Sequence, residues 1–351
     1  MAKSVIAIDV REACRQKKEG KAQWTYGLVS ELIRRSVPLL LLTDMEVPSE
    51  WAACDCKVFP SAGFRWHWQT ARFLRKSSEI AVFVSPTSYI VPALIGRKFP
   101  CFPVVHDLIA FRPEPHDRKA RWIERLTLGR AVRFAKKILT ISGSTKQDLV
   151  KRFPHFDQSK IVTVYAGPMK SSVPRNEPDM RTILCIATLC PRKNQARLIQ
   201  SYARLPADLR LQFRLVLAGN SGWQDEEIFR LIKETSGVEW KNYVSDEEYE
   251  SLLHHCTVFA LPSLYEGFGM QILDALQRGI PILTSDRGSL KEVTEHAALL
   301  VDPESVERIA EGLEKILREE NLRMKLRAKG PEIAEKYSWK RTADLVLDAI
   351  S

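Results

Sequence analysis

The sequence predicts an α/β protein built from two doubly wound domains that face each other across a cleft. Three observations carry that prediction. Apolar, β-rich runs alternate with amphipathic helical patterns along the chain, the alternation restarts after a proline-rich break near the middle, and 351 residues at 45% hydrophobic content suffice for two cores.

In the first half, strand-like runs at 5–10, 39–42, 80–84, 102–105 and 138–141 are bounded by turn residues. Between them, residues 24–35 set Tyr26, Val29 and Ile33 on one side of a helix, and residues 122–134 repeat the spacing with basic residues on the other face. Such βα alternation implies a parallel sheet, here a domain spanning 1–167. The stretch 166–181 holds Gly167, Pro168, Pro174 and Pro178 among polar residues and reads as a linker. A second series follows, with strands at 183–187, 213–218, 258–261 and 280–283 and helices near 195–205, 225–235, 247–255 and 270–278, giving a domain of 181–336. The last segment, 337–351, is expected to form a helix packing back toward the first domain. Ligands of doubly wound domains sit beyond the carboxyl ends of the strands, which is why two of them imply a cleft.

Composition narrows the function. No apolar run approaches the roughly 18 residues of a membrane span, and the longest, 37–42, contains Pro38. Met1-Ala2-Lys3-Ser4 leads straight into the first strand without a secretory apolar region, so a cytoplasmic location is expected. Seven scattered cysteines show neither metal-ligand nor disulfide spacing and read as reduced thiols. Charge is uneven: residues 1–170 hold 29 Lys and Arg against 15 Asp and Glu, the remainder 24 against 28. A basic first half attracts anionic partners. With no zinc-finger spacing and no aromatic RNA-binding signature, nucleic acid is not expected, and an anionic membrane surface or a phosphorylated substrate is preferred.

The most specific stretch runs Leu261-Pro262-Ser263-Leu264-Tyr265-Glu266-Gly267-Phe268-Gly269-Met270 and continues through Asp274. It reads as strand, glycine turn and helix. Gly267 and Gly269 let backbone N–H groups approach an oxyanion or hydroxyl closely. Glu266 before the turn and Asp274 on the helix suit the hydroxyls of one extended, polyhydroxylated ligand. Pro191-Arg192-Lys193-Asn194 follows a strand and opens a helix, placing two cations where a diphosphate would lie. His106 ends an apolar strand at the carboxyl edge of the first domain. The segment 63–76 interleaves Phe64, Trp66, Trp68 and Phe73 with four Lys and Arg; such a helix either packs its aromatics inward or lies in a membrane interface.

Taken together these blocks resemble the family 4 retaining glycosyltransferases, and within them the bacterial mannosyltransferases of polysaccharide assembly. The resemblance rests on Glu266-Gly267-Phe268-Gly269, on Ile8-Asp9-Val10 with Gly20, on Val104-Val105-His106-Asp107-Leu108, on residues 139–145 and on residues 187–194, in the family's order. It implies the GT-B architecture of two Rossmann-like domains, the first for the acceptor and the second for the nucleotide sugar. It implies a GDP- or UDP-linked donor used as substrate, no metal and no other cofactor, net retention, and a glycan or lipid-linked glycan acceptor at the inner face of a membrane. It also implies roles: His106 and Glu266 catalytic; Arg192, Lys193, Gly267, Phe268, Gly269 and Asp274 binding the donor; Gly20 and Lys21 forming an acceptor or phosphate loop. Three sites depart from the family pattern: Asp274 replaces a glutamate, Gly20-Lys21-Ala22 stands in place of the usual Gly-x-Gly with a side chain at the second glycine position, and Thr188 stands where an arginine is common. The first two motivate a competing expectation, a catalytically silent nucleotide-sugar-binding protein of the same fold.

Overall fold

The computed structural model describes residues 5–16, 18, 20–112, 118–170 and 181–351, without the side chain of Ala120. Most of the expected linker lies outside the described residues, as does the N-terminal tetrapeptide. The chain forms two compact units, the first from residues up to 169 together with 338–351, the second from 170–337.

The first unit is a parallel sheet of β1 (Val5–Asp9), β2 (Leu39–Thr43), β3 (Asp55–Val58), β4 (Ile80–Ser85), β5 (Cys101–Val105), β6 (Ile138–Thr140) and β7 (Ile161–Thr163). Its order is 3-2-1-4-5-6-7 among the described residues, with the reversal of direction falling between β1 and β4. Helices α1 (Lys21–Arg34), α2 (Gly63–Lys76), α3 (Ile90–Ile95), α4 (Arg118–Phe134) and α5 (Gly143–Arg152) connect the strands. Parallel strands covered on both faces must be apolar throughout, and β1, β4 and β5 are nearly all buried.

The second unit repeats the plan with β8 (Thr182–Ile186), β9 (Arg214–Ala218), β10 (Val238–Lys241), β11 (Val258–Leu261), β12 (Ile282–Ser285) and β13 (Leu299–Val301), in the order 10-9-8-11-12-13. Around it lie α6 (Gln195–Ala203), α7 (Ala207–Gln212), α8 (Glu226–Glu234), α9 (Asp246–His255), α10 (Met270–Gln277), α11 (Gly288–Thr294), α12 (Val306–Arg318) and α13 (Glu320–Ala334). The final helix, α14 (Trp339–Ile350), belongs to the first unit. A Cβ added to Gly27 of α1 would lie 2.2 Å from the Trp339 ring, so the absent side chain is what admits the indole. Trp339 Nε1 donates to the Pro168 carbonyl (2.8 Å), and Arg35 Nη2 donates to the Lys340 carbonyl (2.7 Å).

Helix α2 sorts the aromatics of that segment by face, residue by residue. Trp66 is 0% exposed, donates from Nε1 to the Thr43 carbonyl (3.0 Å), and carries the Arg11 guanidinium 3.6 Å above its ring. Trp68 and Phe64 are 51% and 62% exposed. Positions 66 and 68 differ by about 200° on a helix, so the two indoles take opposite faces. Trp66→Ala should destabilise the first unit by about 3–5 kcal/mol, whereas Trp68→Ala should stay within about 0.5 kcal/mol of wild type. Thermal melts of the two single variants test this, and equal melting temperatures would contradict the assignment of faces.

Candidate active site

In the second unit, β11 is buried along its length and its chain continues through Pro262 and Ser263 into a turn held by side chains. Thr284 Oγ1 donates to the Leu261 carbonyl (2.7 Å) and Ser285 Oγ to the Ser263 carbonyl (2.5 Å), both from the adjacent β12. Asn194, left-handed at φ 65°, donates through Nδ2 to the carbonyls of Pro262 (2.9 Å) and Pro303 (2.7 Å). These bonds continue the sheet's satisfaction of backbone groups past its last strand residue. Gly269 adopts φ 88°, the left-handed region that favours glycine, and a Cβ there would lie 2.7 Å from Leu290 Cδ2, which would have to shift.

That turn delivers Glu266 to two cations. Lys193 Nζ donates to Oε1 (2.5 Å), Arg192 Nη1 to Oε2 (2.9 Å), and Ser263 Oγ to Oε1 (2.8 Å). Arg192 Nη1 also donates to the Tyr265 carbonyl (2.8 Å). Burial alone would raise the Glu266 pKa, but Lys193 and Arg192 outweigh it and hold the carboxylate at about 2. The cations stand in a short 3-10 turn, Pro191–Lys193, ahead of α6, and each is engaged by the carboxylate. Local sequence reasoning assigned nothing to Ser263, because its partner is set by the turn and not by helical or strand spacing.

Two further residues of the expected donor set, Asp274 and Phe268, are buried in the second unit. Asp274 is 0% exposed; Tyr249 Oη donates to its Oδ2 (2.6 Å) and the Lys170 N–H to its Oδ1 (3.4 Å). The tyrosine bond ties α10 to α9. A side chain one methylene shorter than glutamate stays within reach of the buried tyrosine hydroxyl. Phe268 is also buried, edge-on to Tyr337 with centroids 5.5 Å apart.

The remaining expected residues lie in the first unit. His106 follows β5 and is 4% exposed, with Nε2 against the Pro86 carbonyl (2.7 Å) and its ring edge-on to Trp24 at 5.4 Å. A carbonyl only accepts, so the proton sits on Nε2. Burial and then Lys21 depress the His106 pKa to about 3, leaving a neutral ring. Lys21 begins α1 directly after Gly20, which has φ 42° and open space where a side chain would be.

A model of the family described as "Glycosyl transferases group 1" matches residues 170–333. Over 285 residues the chain is 30% identical to O-antigen chain mannosyltransferase B of Escherichia coli, covering 76% of this chain and 73% of that protein. The chain is a group 1 glycosyltransferase. A second relative of this glycosyltransferase, the MMP alpha-(1->4)-mannosyltransferase of Mycolicibacterium hassiacum, is 27% identical over 260 residues, 70% of this chain and 63% of that one. Among solved structures, Anabaena HepE in complex with UDP-glucose superposes with TM-score 0.77 at 17% identity over 98% of both chains. That likeness places the glycosyltransferase's two parallel α/β units in the GT-B fold.

The buried ionisable groups make the glycosyltransferase acid-sensitive in two steps. His106, at about 3, and His67, lowered to about 4 by burial and by Arg11, stay neutral in the folded protein, while an unfolded histidine titrates near 6.5. Below pH 6.5 only the unfolded chain gains these protons, so stability falls toward pH 4 at up to about 1.4 kcal/mol per pH unit for each proton. Glu266 adds its loss below 4.5, as pH falls toward about 2. Melts at pH 7.5, 6.0 and 5.0 should show His67→Asn/His106→Asn losing less stability across that range than wild type; parallel losses would contradict the neutral-ring assignment.

Proposed function

We propose that the enzyme transfers mannose, with retention, from a nucleoside-diphosphate mannose to the end of a glycan or lipid-linked glycan. The observation that carries this reading is the Glu266 carboxylate paired with Lys193 and Arg192 beside a glycine turn, in a chain 30% identical to an O-antigen chain mannosyltransferase. The donor diphosphate competes with the carboxylate for the two cations. Arg192 offers a planar fork and Lys193 a compact charge, while the N–H groups at Gly267 and Gly269 approach without side-chain obstruction. Glu266, released in part from its partners, accepts hydrogen bonds from sugar hydroxyls. In the transfer step the bond between the anomeric carbon and the leaving phosphate oxygen breaks. The bond to the acceptor oxygen forms on the same face, and the acceptor proton passes to the departing phosphate. His106, neutral, helps position the donor sugar.

Calorimetric titration and turnover test this division of roles. Lys193→Ala should weaken GDP or UDP itself by at least about tenfold, roughly 1.4 kcal/mol. Glu266→Ala should spare the nucleotide, weaken the nucleotide sugar and cut transfer at least about tenfold. Equal losses in both variants for both ligands would contradict the reading. A panel of nucleotide sugars, read by thermal stabilisation, tests the sugar assignment, with GDP-mannose expected to give the largest shift.

A peripheral position on an anionic membrane accompanies this reading. No helix among the described residues is long and apolar enough to cross a bilayer. The exposed face of α2 carries Phe64 and Trp68 with Arg65, Arg72, Arg75 and Lys76 and no acid. Each cation near an anionic leaflet contributes about 1 kcal/mol, decaying over about 8 Å at physiological salt. The apolar anchors are thus Phe64 and Trp68, with Trp66 serving the core. Phe64→Ala/Trp68→Ala should leave a weaker association with phosphatidylglycerol vesicles that high salt abolishes. Absence of wild-type sedimentation with those vesicles at low salt would end the membrane assignment.

A further inference from the structure

Glu124 has no part in the site described so far. It lies on α4 one turn before Leu128, on the face that packs into the first unit's core, and it is buried. Its Oε1 has no hydrogen-bond partner among the described residues. The cation beside it, Lys21 Nζ, stands 3.8 Å away, beyond hydrogen-bond range. A sequestered carboxylate oxygen without a donor is costly, and native structures rarely keep one unless a ligand or water completes it. The Lys21 member of the pair is reachable from outside, since its side chain is 36% exposed and Gly20 next to it borders open space. It also adjoins His106, whose ring Lys21 helps to keep neutral.

The gap defines what fits. An oxygen placed about 2.8 Å from each atom spans it, donating to Glu124 and accepting from Lys21. An alcohol does both. A phosphate oxygen at neutral pH only accepts, and it would meet the negative charges of Glu124, Asp107 and Glu12 that already surround Lys21. We propose that Glu124 and Lys21 form a recognition subsite for a hydroxyl of the acceptor's terminal sugar, and that the Gly20-Lys21 turn reads a neutral sugar and not a phosphate. The inference rests on the reading that the first unit receives the acceptor, and it adds the residue and the ligand chemistry that do so.

The test uses the full chain without donor and methyl α-D-mannopyranoside as the probe, followed by saturation-transfer NMR, with inorganic phosphate as competitor. Wild type should bind the sugar in the millimolar range, and phosphate should not displace it. Glu124→Gln should weaken the sugar at least tenfold, keep the melting temperature or raise it, and leave GDP and UDP titrations unchanged. If that variant melts well below wild type, Glu124→Asp, which keeps the charge and retracts it, replaces it and should weaken the sugar at least threefold. Undiminished sugar binding by the variants, displacement by phosphate, or no wild-type binding of the mannoside or the corresponding glucoside and galactoside overturns the inference. Failure of wild type to bind any nucleoside diphosphate would instead strike the donor reading and leave the sugar result standing.

Discussion

Glu266 is ionised where water scarcely reaches it, and the end of β11, the turn before α6 and the start of α10 are arranged around that charge. Removing a carboxylate from water costs several kcal/mol unless charges and donors compensate. Here Lys193, Arg192 and Ser263 all converge on its two oxygens. Bringing them together requires the left-handed turn at Asn194, whose amide then anchors on two carbonyls, and the left-handed glycine at 269. Ser289 Oγ, donating to the Glu266 carbonyl (2.8 Å), adds α11 to the same construction. A network that satisfies its own charges internally is rigid, yet a ligand bearing two negative phosphates can compete for it.

The first unit treats its ionisable groups differently. His106 and His67 are kept neutral by burial and by neighbouring cations, and Glu124 keeps a carboxylate oxygen unbonded. The second unit thus concentrates compensated charge around Glu266. The first holds buried polar groups with unspent hydrogen-bonding capacity. Besides the cations beside these groups, Arg11 and Lys21, the first half carries basic residues on outward faces such as that of α2.

Much of this was legible in the residues. The long apolar strands and the glycine turn at 267–269 announce themselves locally, because burial on two faces and a left-handed backbone each demand particular side chains. β3 did not: its residues Asp55, Cys56, Lys57 and Val58 are all exposed at a sheet edge, where no apolar run is needed. The opposite fates of Trp66 and Trp68 were encoded in the helical phase of 66, 67, 70, 71 and 74, though not in aromatic content. Contacts between distant positions leave no local trace. Nothing near residue 124 announces Lys21, and nothing near Asp274 announces Tyr249, so the unbonded oxygen of Glu124 and the Tyr249–Asp274 bond emerge only once the chain is folded.

The membership of α14 in the first unit bears on how the molecule is made. Its Trp339 fills the space that Gly27 leaves on α1, but some 170 residues of the other unit are translated in between. At about 5–20 residues per second, that face of α1 stays uncovered on the ribosome for roughly ten to thirty seconds. The unit whose strands emerge first is therefore the last to be finished. A nascent chain that stalls or is cut before residue 338 presents a completed second unit beside a first one with an open seam, the kind of surface that chaperones hold and proteases find.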